Sequence, residues 1–284
     1  MRQRAVSSIG VILIGLVPAL LGGWVFAAVF TTISVIACRE AITITIPAST
    51  PLKHTGVGLV ALAGLLAATN VGPNGFALVT VLAVGVPLAG AVFLSESHAI
   101  EHWSATTATT LYLSLPAYAA IDLRNSTDFS ARDWIGDVAG LLPDVSTATG
   151  GGLAWFLLAL FITWLSDTFA YVVGKTWGKH KLIPRVSPNK TIAGAIGGLV
   201  AAAITAVICD TWFGMDIGMW QAIVIGLVLG AAGQIGDLSE SMLKRMRGVK
   251  DSSNLIPGHG GMLDRIDALI FVIVAAWLIA PIVP

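Results

Sequence analysis

The chain has 284 residues, of which 56% are hydrophobic and 11% charged, with sixteen Lys and Arg balancing sixteen Asp and Glu. Its mean hydropathy of +0.85 excludes an ordinary soluble domain, in which roughly 25% of residues are charged. The zero net charge says less than the way the charges are distributed, and no nucleic-acid partner is expected.

Apolar runs of about 20 residues recur along the whole length, each long enough to cross a bilayer as a helix. The expected fold is all-α, a polytopic integral membrane protein of about nine transmembrane helices. The spans are predicted at approximately 5–21, 23–38, 55–70, 75–94, 104–121, 152–174, 191–212, 219–243 and 262–282. Arg2, Arg4 and the apolar run from Val6 resemble a signal peptide, but the hydrophobicity continues, so this segment is read as the first span. A tight Gly22-Gly23 connection separates it from the second. Cys38 and Cys209 fall on different spans and read as two structural thiols rather than a disulfide. Residues 1–150 form an N-terminal block of about five spans ending in the Asp-rich connection 122–150. Residues 151–284 hold about four spans and two basic connections, 175–190 and 244–261. An N-terminus in the cytoplasm puts fourteen cations on that side and only Arg124 and Arg132 on the other, the asymmetry expected of a cytoplasmic face. Both basic connections then share that face, and the C-terminus lies outside.

The densest charge lies at 237–267, with five cations, five acids and His259 set between two apolar segments. Charge at the edge of a span is costly and needs a ligand, a metal or a partner. Asp237, Glu240, Ser241 and Lys244 are spaced i, i+3, i+4 and i+7 and share one helical face. The preceding Gly230–Gly236 turn is built of small residues that let another helix approach. A basic loop follows, then Pro257-Gly258-His259-Gly260-Gly261, whose glycines let the backbone approach an anion. Asp264 and Asp267 open the ninth span, where acids are favoured by the helix dipole; Arg265 between them has no such explanation. Carboxylates on adjacent helix ends, ringed by Lys and Arg, suit a divalent ion holding polyphosphate, and Mg2+ takes hard oxygen ligands of this kind. Mutual pairing of the charges as interfacial anchors is the plainer alternative. His259 in its Pro-Gly setting reads as a phosphate or base contact, and His180 as a surface histidine.

A second polar element ends the sixth span. Asp167, Tyr171 and Gly174 share a face, and Lys175, Ser187, Lys190 and Thr191 follow in a loop suited to phosphate contacts. Thr191 stands near a helix N-terminus, where free N–H groups favour anions. The usual positive-inside bias would explain the lysines, but not an acid buried about a turn inside the span.

These two segments resemble the phosphatidate cytidylyltransferase (CDP-diacylglycerol synthase) family. Its long signature is matched by Ser241, Lys244, Arg245, Lys250, Asp251, Pro257, His259, Gly260, Gly261, Asp264, Arg265 and Asp267. The upstream Ser166-Asp167-Thr168 and Ser187-Pro188-Asn189-Lys190-Thr191 elements are similar as well. One departure follows Thr191: the family continues with an aromatic, a Glu and a Gly, and this chain has Ile192-Ala193-Gly194. The motifs cover roughly the last 120 residues. The resemblance implies that CTP and phosphatidate give CDP-diacylglycerol and pyrophosphate. It implies Asp237 and Asp264 as ligands of Mg2+, in a paired-ion site that could include a monovalent cation such as K+. It also implies Lys244, Arg245, Lys250 and Arg265 as phosphate-holding groups, with His259 beside them. Lys175, Ser187, Lys190, Thr191, Ser241, Gly260, Gly261 and Asp167 would contact substrate. A homodimer in the cell membrane, its active site facing the cytoplasm, completes the expectation. The alternatives are a CTP-dependent relative acting on another lipid phosphate or a polyprenol, and an ion-coupled transporter. Transporters keep such acids near the bilayer midplane, whereas here they sit at span ends beside basic loops.

Overall fold

The computed structural model describes residues 2–46, 51–69, 71, 73–94, 96–139, 150–256 and 260–283. Among these, ten α-helices and one hairpin follow in order. They are α1 (Arg2–Leu21), α2 (Gly23–Thr45), α3 (Pro51–Ala68), α4 (Pro73–Ala91), α5 (Glu96–Asn125), α6 (Asp133–Ala139) and α7 (Gly150–Trp177). After α7 come β1 (Lys181–Ile183) and β2 (Ser187–Thr191), then α8 (Ile192–Phe213), α9 (Met219–Met246) and α10 (Leu263–Ile279), which ends in a 3-10 turn over Ala280–Ile282. Among the described residues, six helices are long and apolar enough to cross a membrane: α2, α4, α7, α8, α9, and α10 with its 3-10 turn. The all-α polytopic membrane fold stands, with six such helices where the sequence expects nine spans. Helices α1, α3 and α5 occupy the positions of the other three. Of these, α3 is a shorter apolar helix, and α5 carries Glu101, His98, His102 and a run of threonines at its start.

Two departures from the expected organisation bear on the site. The connection 175–190 is not a plain loop: α7 runs on to Trp177, and β1 and β2 pair antiparallel with Lys181 opposite Thr191. Pro188 biases the residue before it toward extended backbone, which suits Ser187 to the start of β2. Arg124, expected in a solvated loop, is fully buried. Its Nε donates to Ala19 O at 2.5 Å and its Nη2 to Leu20 O at 3.3 Å, satisfying carbonyls that the end of α1 leaves unpaired. Asn125 Oδ1 accepts from Gly23 N at 3.1 Å, so α5 pins the break at Gly22 from the side.

The first half of α7 is buried on every face, the mark of a helix in the middle of a bundle. Phe156 packs edge-on against Phe26 of α2, with ring centroids 4.9 Å apart. The small residues of α9 do what their pattern predicts. A Cβ on Gly230 would lie 2.6 Å from Ala202 Cβ of α8, and one on Gly236 would lie 2.5 Å from Asp267 O of α10. Close approach here brings the polar ends of α8, α9 and α10 together.

Candidate functional site

The C-terminal ends of α2, α7 and α9 meet the N-terminal ends of α8 and α10 at one end of the bundle, and the hairpin lies beside them. Thr191 is the N-cap of α8: its backbone is extended and its Oγ1 accepts from Gly194 N at 3.1 Å, the favoured geometry for a threonine cap. This cap, with the β1–β2 pairing, sets Lys190 against α9, where Nζ lies 2.6 Å from Asp237 Oδ2. Ser241, one turn on, reaches Asp237 Oδ1 at 3.4 Å.

A cavity of about 580 Å³ opens between α7, the hairpin, α8 and α9, lined by Asp167, Lys175, Lys190, Thr191 and Asp237 among others. Five of the residues singled out from the sequence thus share one chamber. Lys175 Nζ also stands 5.7 Å from the centre of the Tyr171 ring, within cation–π reach. Ser187 pairs with Ile183 in the hairpin and is not among the residues lining the chamber.

The second cluster joins α9 to α10. Lys244 Nζ lies 2.9 Å from Glu240 Oε2 and 2.5 Å from Asp264 Oδ1. The other Asp264 oxygen accepts from Gly261 N at 2.7 Å and from Ser252 N at 2.9 Å, and the Ser252 hydroxyl, 2.9 Å from it and from Glu40 Oε2, has one proton to share between the two acids. Gly260 has φ +78° and a Cβ there would meet Asp264 Oδ2 at 2.5 Å, so the turn that aims these amides at Asp264 requires glycine. Nearer the C-terminal end of α9, an apolar cleft of about 260 Å³ runs between α2, α5, α9 and α10. Thr45, Thr109, Tyr112 and Phe271 line it, and Glu240 and Lys244 lie at its polar end.

Other expected residues lie apart from these clusters. Arg245, Lys250 and Arg265 are exposed, and none enters an ion pair among the described residues. Arg265 borders a separate small cavity beside Ile256 and Met262. His259 lies outside the described residues.

Sequence reasoning gave no role to Glu240, Asp267 or Glu40. Glu240 is 1% exposed, lies carboxyl to carboxyl with Asp267, and its Oε1 meets no donor. Asp267 interacts in turn with Asp237. Asp237, Glu240, Asp264 and Asp267 therefore face two lysines, Lys190 and Lys244. That excess of hard oxygen donors, with one buried oxygen left without a partner, fits a divalent cation of the Mg2+ type. Such an ion needs only one or two protein carboxylates and completes its shell with water or phosphate. Among the described residues no three His, Cys, Asp or Glu already form a ligand set. Glu40 reaches the same region from α2. The predicted second span stopped at residue 38 and left Glu40 outside it, whereas α2 runs on to Thr45 and sets the acid about a turn inside an apolar helix.

Residues 2–283 match the model of the cytidylyltransferase family. The chain belongs to the cytidylyltransferase family. Over 122 residues this cytidylyltransferase-family chain is 46% identical to proteins named phosphatidate cytidylyltransferase from Staphylococcus saprophyticus and Staphylococcus haemolyticus. It is 48% identical over 122 residues to one from Staphylococcus aureus strain COL. Each match takes in 43% of this chain and 47% of the relative, so the chain spans about half the length of the relatives it matches.

Proposed function

We propose that this chain is a nucleotidyltransferase that makes CDP-diacylglycerol and pyrophosphate from CTP and phosphatidate, in phospholipid biosynthesis. The observation that carries the reading is the position of α9 between a polar chamber ending at Asp237 and an apolar cleft ending at Lys244. CTP takes the chamber, where Lys175, Lys190 and the hairpin meet its phosphates. An acyl chain of phosphatidate takes the cleft, which brings the lipid phosphate to Lys244.

In the reaction an oxygen of the lipid phosphate attacks the α-phosphorus of CTP. The bond from that phosphorus to the oxygen bridging the β-phosphate breaks, and pyrophosphate leaves. The attacking group is already anionic at neutral pH, so the main obstacle is bringing two polyanions together, which charge neutralisation and positioning overcome. Lys190 and Lys244 turn from their carboxylates toward phosphate oxygens as substrates enter. Asp237 and Asp264 would hold Mg2+, with a monovalent cation such as K+ as a candidate second ion. When bound, the metal ion supplies electrostatic stabilisation of the developing phosphate charge. Arg245, Lys250, Arg265 and His259 serve the outer phosphates, Ser187, Ser241, Gly260 and Gly261 supply hydrogen bonds, and Asp167 orients a lysine of the chamber. The site faces the cytoplasm of a cell membrane, and the protein pairs as a homodimer.

The test is incorporation of radiolabelled CTP into chloroform-soluble lipid by the purified protein with phosphatidate and Mg2+. The expected result is labelled CDP-lipid with pyrophosphate release, abolished by EDTA and restored by added Mg2+. Asp237→Asn and Asp264→Asn should each lower it on the order of a hundredfold or more. No product with any lipid phosphate would sink the enzyme reading, and product surviving both substitutions would overturn the site.

A further inference from the structure

Helix α10 begins without a cap of its own. Its N-cap residue, Met262, has helical backbone angles and makes no side-chain capping hydrogen bond. A helix start leaves backbone N–H groups unpaired, and burying them without partners is costly. The partner comes from α2. Glu40 is 8% exposed, and it accepts from Leu263 N at 2.8 Å on Oε2 and from Met262 N at 3.1 Å on Oε1. The same carboxylate takes Ser252 Oγ at 2.9 Å and Ser253 Oγ at 2.6 Å. Gly261 completes the fit, since a Cβ there would stand 2.5 Å from Glu40 Oε2.

We infer that Glu40 is a positioning residue, an interhelical cap that ties both ends of the 252–263 segment to α2 and thereby fixes Asp264. Three links connect the two acids. Ser252 offers its hydroxyl to Glu40 and its amide to Asp264. Gly261 donates to Asp264 while packing against Glu40. Leu263, bound to Glu40, directly precedes Asp264 in the first turn of α10. Two residues beyond α2's Thr43, Thr45 O accepts from Arg247, so the end of α2 holds the connection from the α9 side as well. A carboxylate at a helix start is favoured by the helix dipole, which helps hold Glu40 in place.

The test uses the full chain in detergent, with Glu40→Gln and Glu40→Asp. Hydrogen exchange needs no assumption about the reaction. In Glu40→Gln at least one of the amides of Met262 and Leu263 should exchange about tenfold faster or more, because the carboxamide keeps a single accepting oxygen and its NH2 cannot accept. Amides in the middle of α8 should not change. The kinetic arm rests on the transferase reading. There kcat should fall about tenfold or more and the Mg2+ needed for half-maximal rate should rise, with KM for CTP within about twofold. Glu40→Asp, which keeps the carboxylate, should recover part of both losses. Parent-like exchange and parent-like kcat in Glu40→Gln would overturn the inference. If the parent transfers no nucleotide, the reaction reading fails while the exchange arm still decides the role of Glu40. If Glu40→Gln does not purify folded, Glu40→Asp, whose carboxylate is one methylene shorter, takes its place, and parent-like exchange at both Met262 and Leu263 in that variant would overturn the inference equally.

Discussion

The two lysine–carboxylate contacts of the site should differ sharply in what they contribute to stability, because they differ in burial. Lys244 has 12% of its side chain exposed, against 1% for Glu240 and 6% for Asp264. Lys190 and Asp237 are 28% and 29% exposed. Lys244→Met removes the one cation that, among the described residues, pairs with these two buried carboxylates, and breaking a buried pair in this way costs about 3–5 kcal/mol. Lys190→Met breaks a contact reached by water and should cost below about 1 kcal/mol. With about 2–4 °C of midpoint shift per kcal/mol, Lys244→Met should melt on the order of 10 °C lower and Lys190→Met within about 4 °C of the parent. The assay is thermal unfolding of the detergent-purified protein followed by tryptophan fluorescence, without substrate or added Mg2+. Lys244→Met combined with Glu240→Gln should recover at least about 1 kcal/mol of the loss, because the neutral amide no longer leaves a second charge unpaired. Equal shifts for the two lysines, or no recovery in the double variant, would refute the bridge between α9 and α10.

Two further outcomes follow from the far end of the bundle and from its orientation. Arg124→Leu should cost about 1.5–3 kcal/mol by stranding the carbonyls of Ala19 and Leu20, while activity per folded molecule stays at the parent level; a specific loss of activity would contradict a purely structural Arg124. Cys38 and Cys209 are buried, at 0% and 2% exposure, so thiol background in spheroplasts should be low, and an impermeant maleimide should label Asp128→Cys but not Lys179→Cys. Labelling of Lys179→Cys alone would reverse the orientation and put the site on the outer face.

What the sequence made legible was local. Periodicity put Asp237, Glu240, Ser241 and Lys244 on one face, and they pair at i,i+4 as the spacing demands, Ser241 with Asp237 and Lys244 with Glu240. Thr191 was placed at a helix start and is a cap, and the Gly230–Gly236 run was expected to admit another helix, as it does. The hairpin was not legible: β1 and β2 have three and five residues, too short for alternation to stand out from a basic loop. Glu40 was invisible for a different reason. Its partners lie 212–223 residues away, and no one-dimensional pattern pairs an acid on the second helix with amides on the last. Arg124 failed in the same way, because a cation at a span end is solvated or buried according to which helix end it meets, here one 105 residues earlier.

Charge counting joins the stability and the chemistry of the site. Four acids, Asp237, Glu240, Asp264 and Asp267, crowd the facing turns of α9 and α10, and the lysines in contact with them offset two of those charges. Desolvated like charges at this spacing repel strongly, so an arrangement held by Lys190 and Lys244 alone is balanced only in part. A divalent cation would neutralise charge that the lysines leave unbalanced and, on the proposed reading, free the lysines to turn toward phosphates. Under that reading, resting stability and substrate binding compete for the same two ammonium groups. On that reasoning the Lys244→Met midpoint should move back toward the parent when Mg2+ is added, and Lys190→Met should respond less. A midpoint indifferent to Mg2+ in both variants would mean that the acids are neutralised in some other way, and that the lysines are struts rather than groups passed from carboxylate to phosphate.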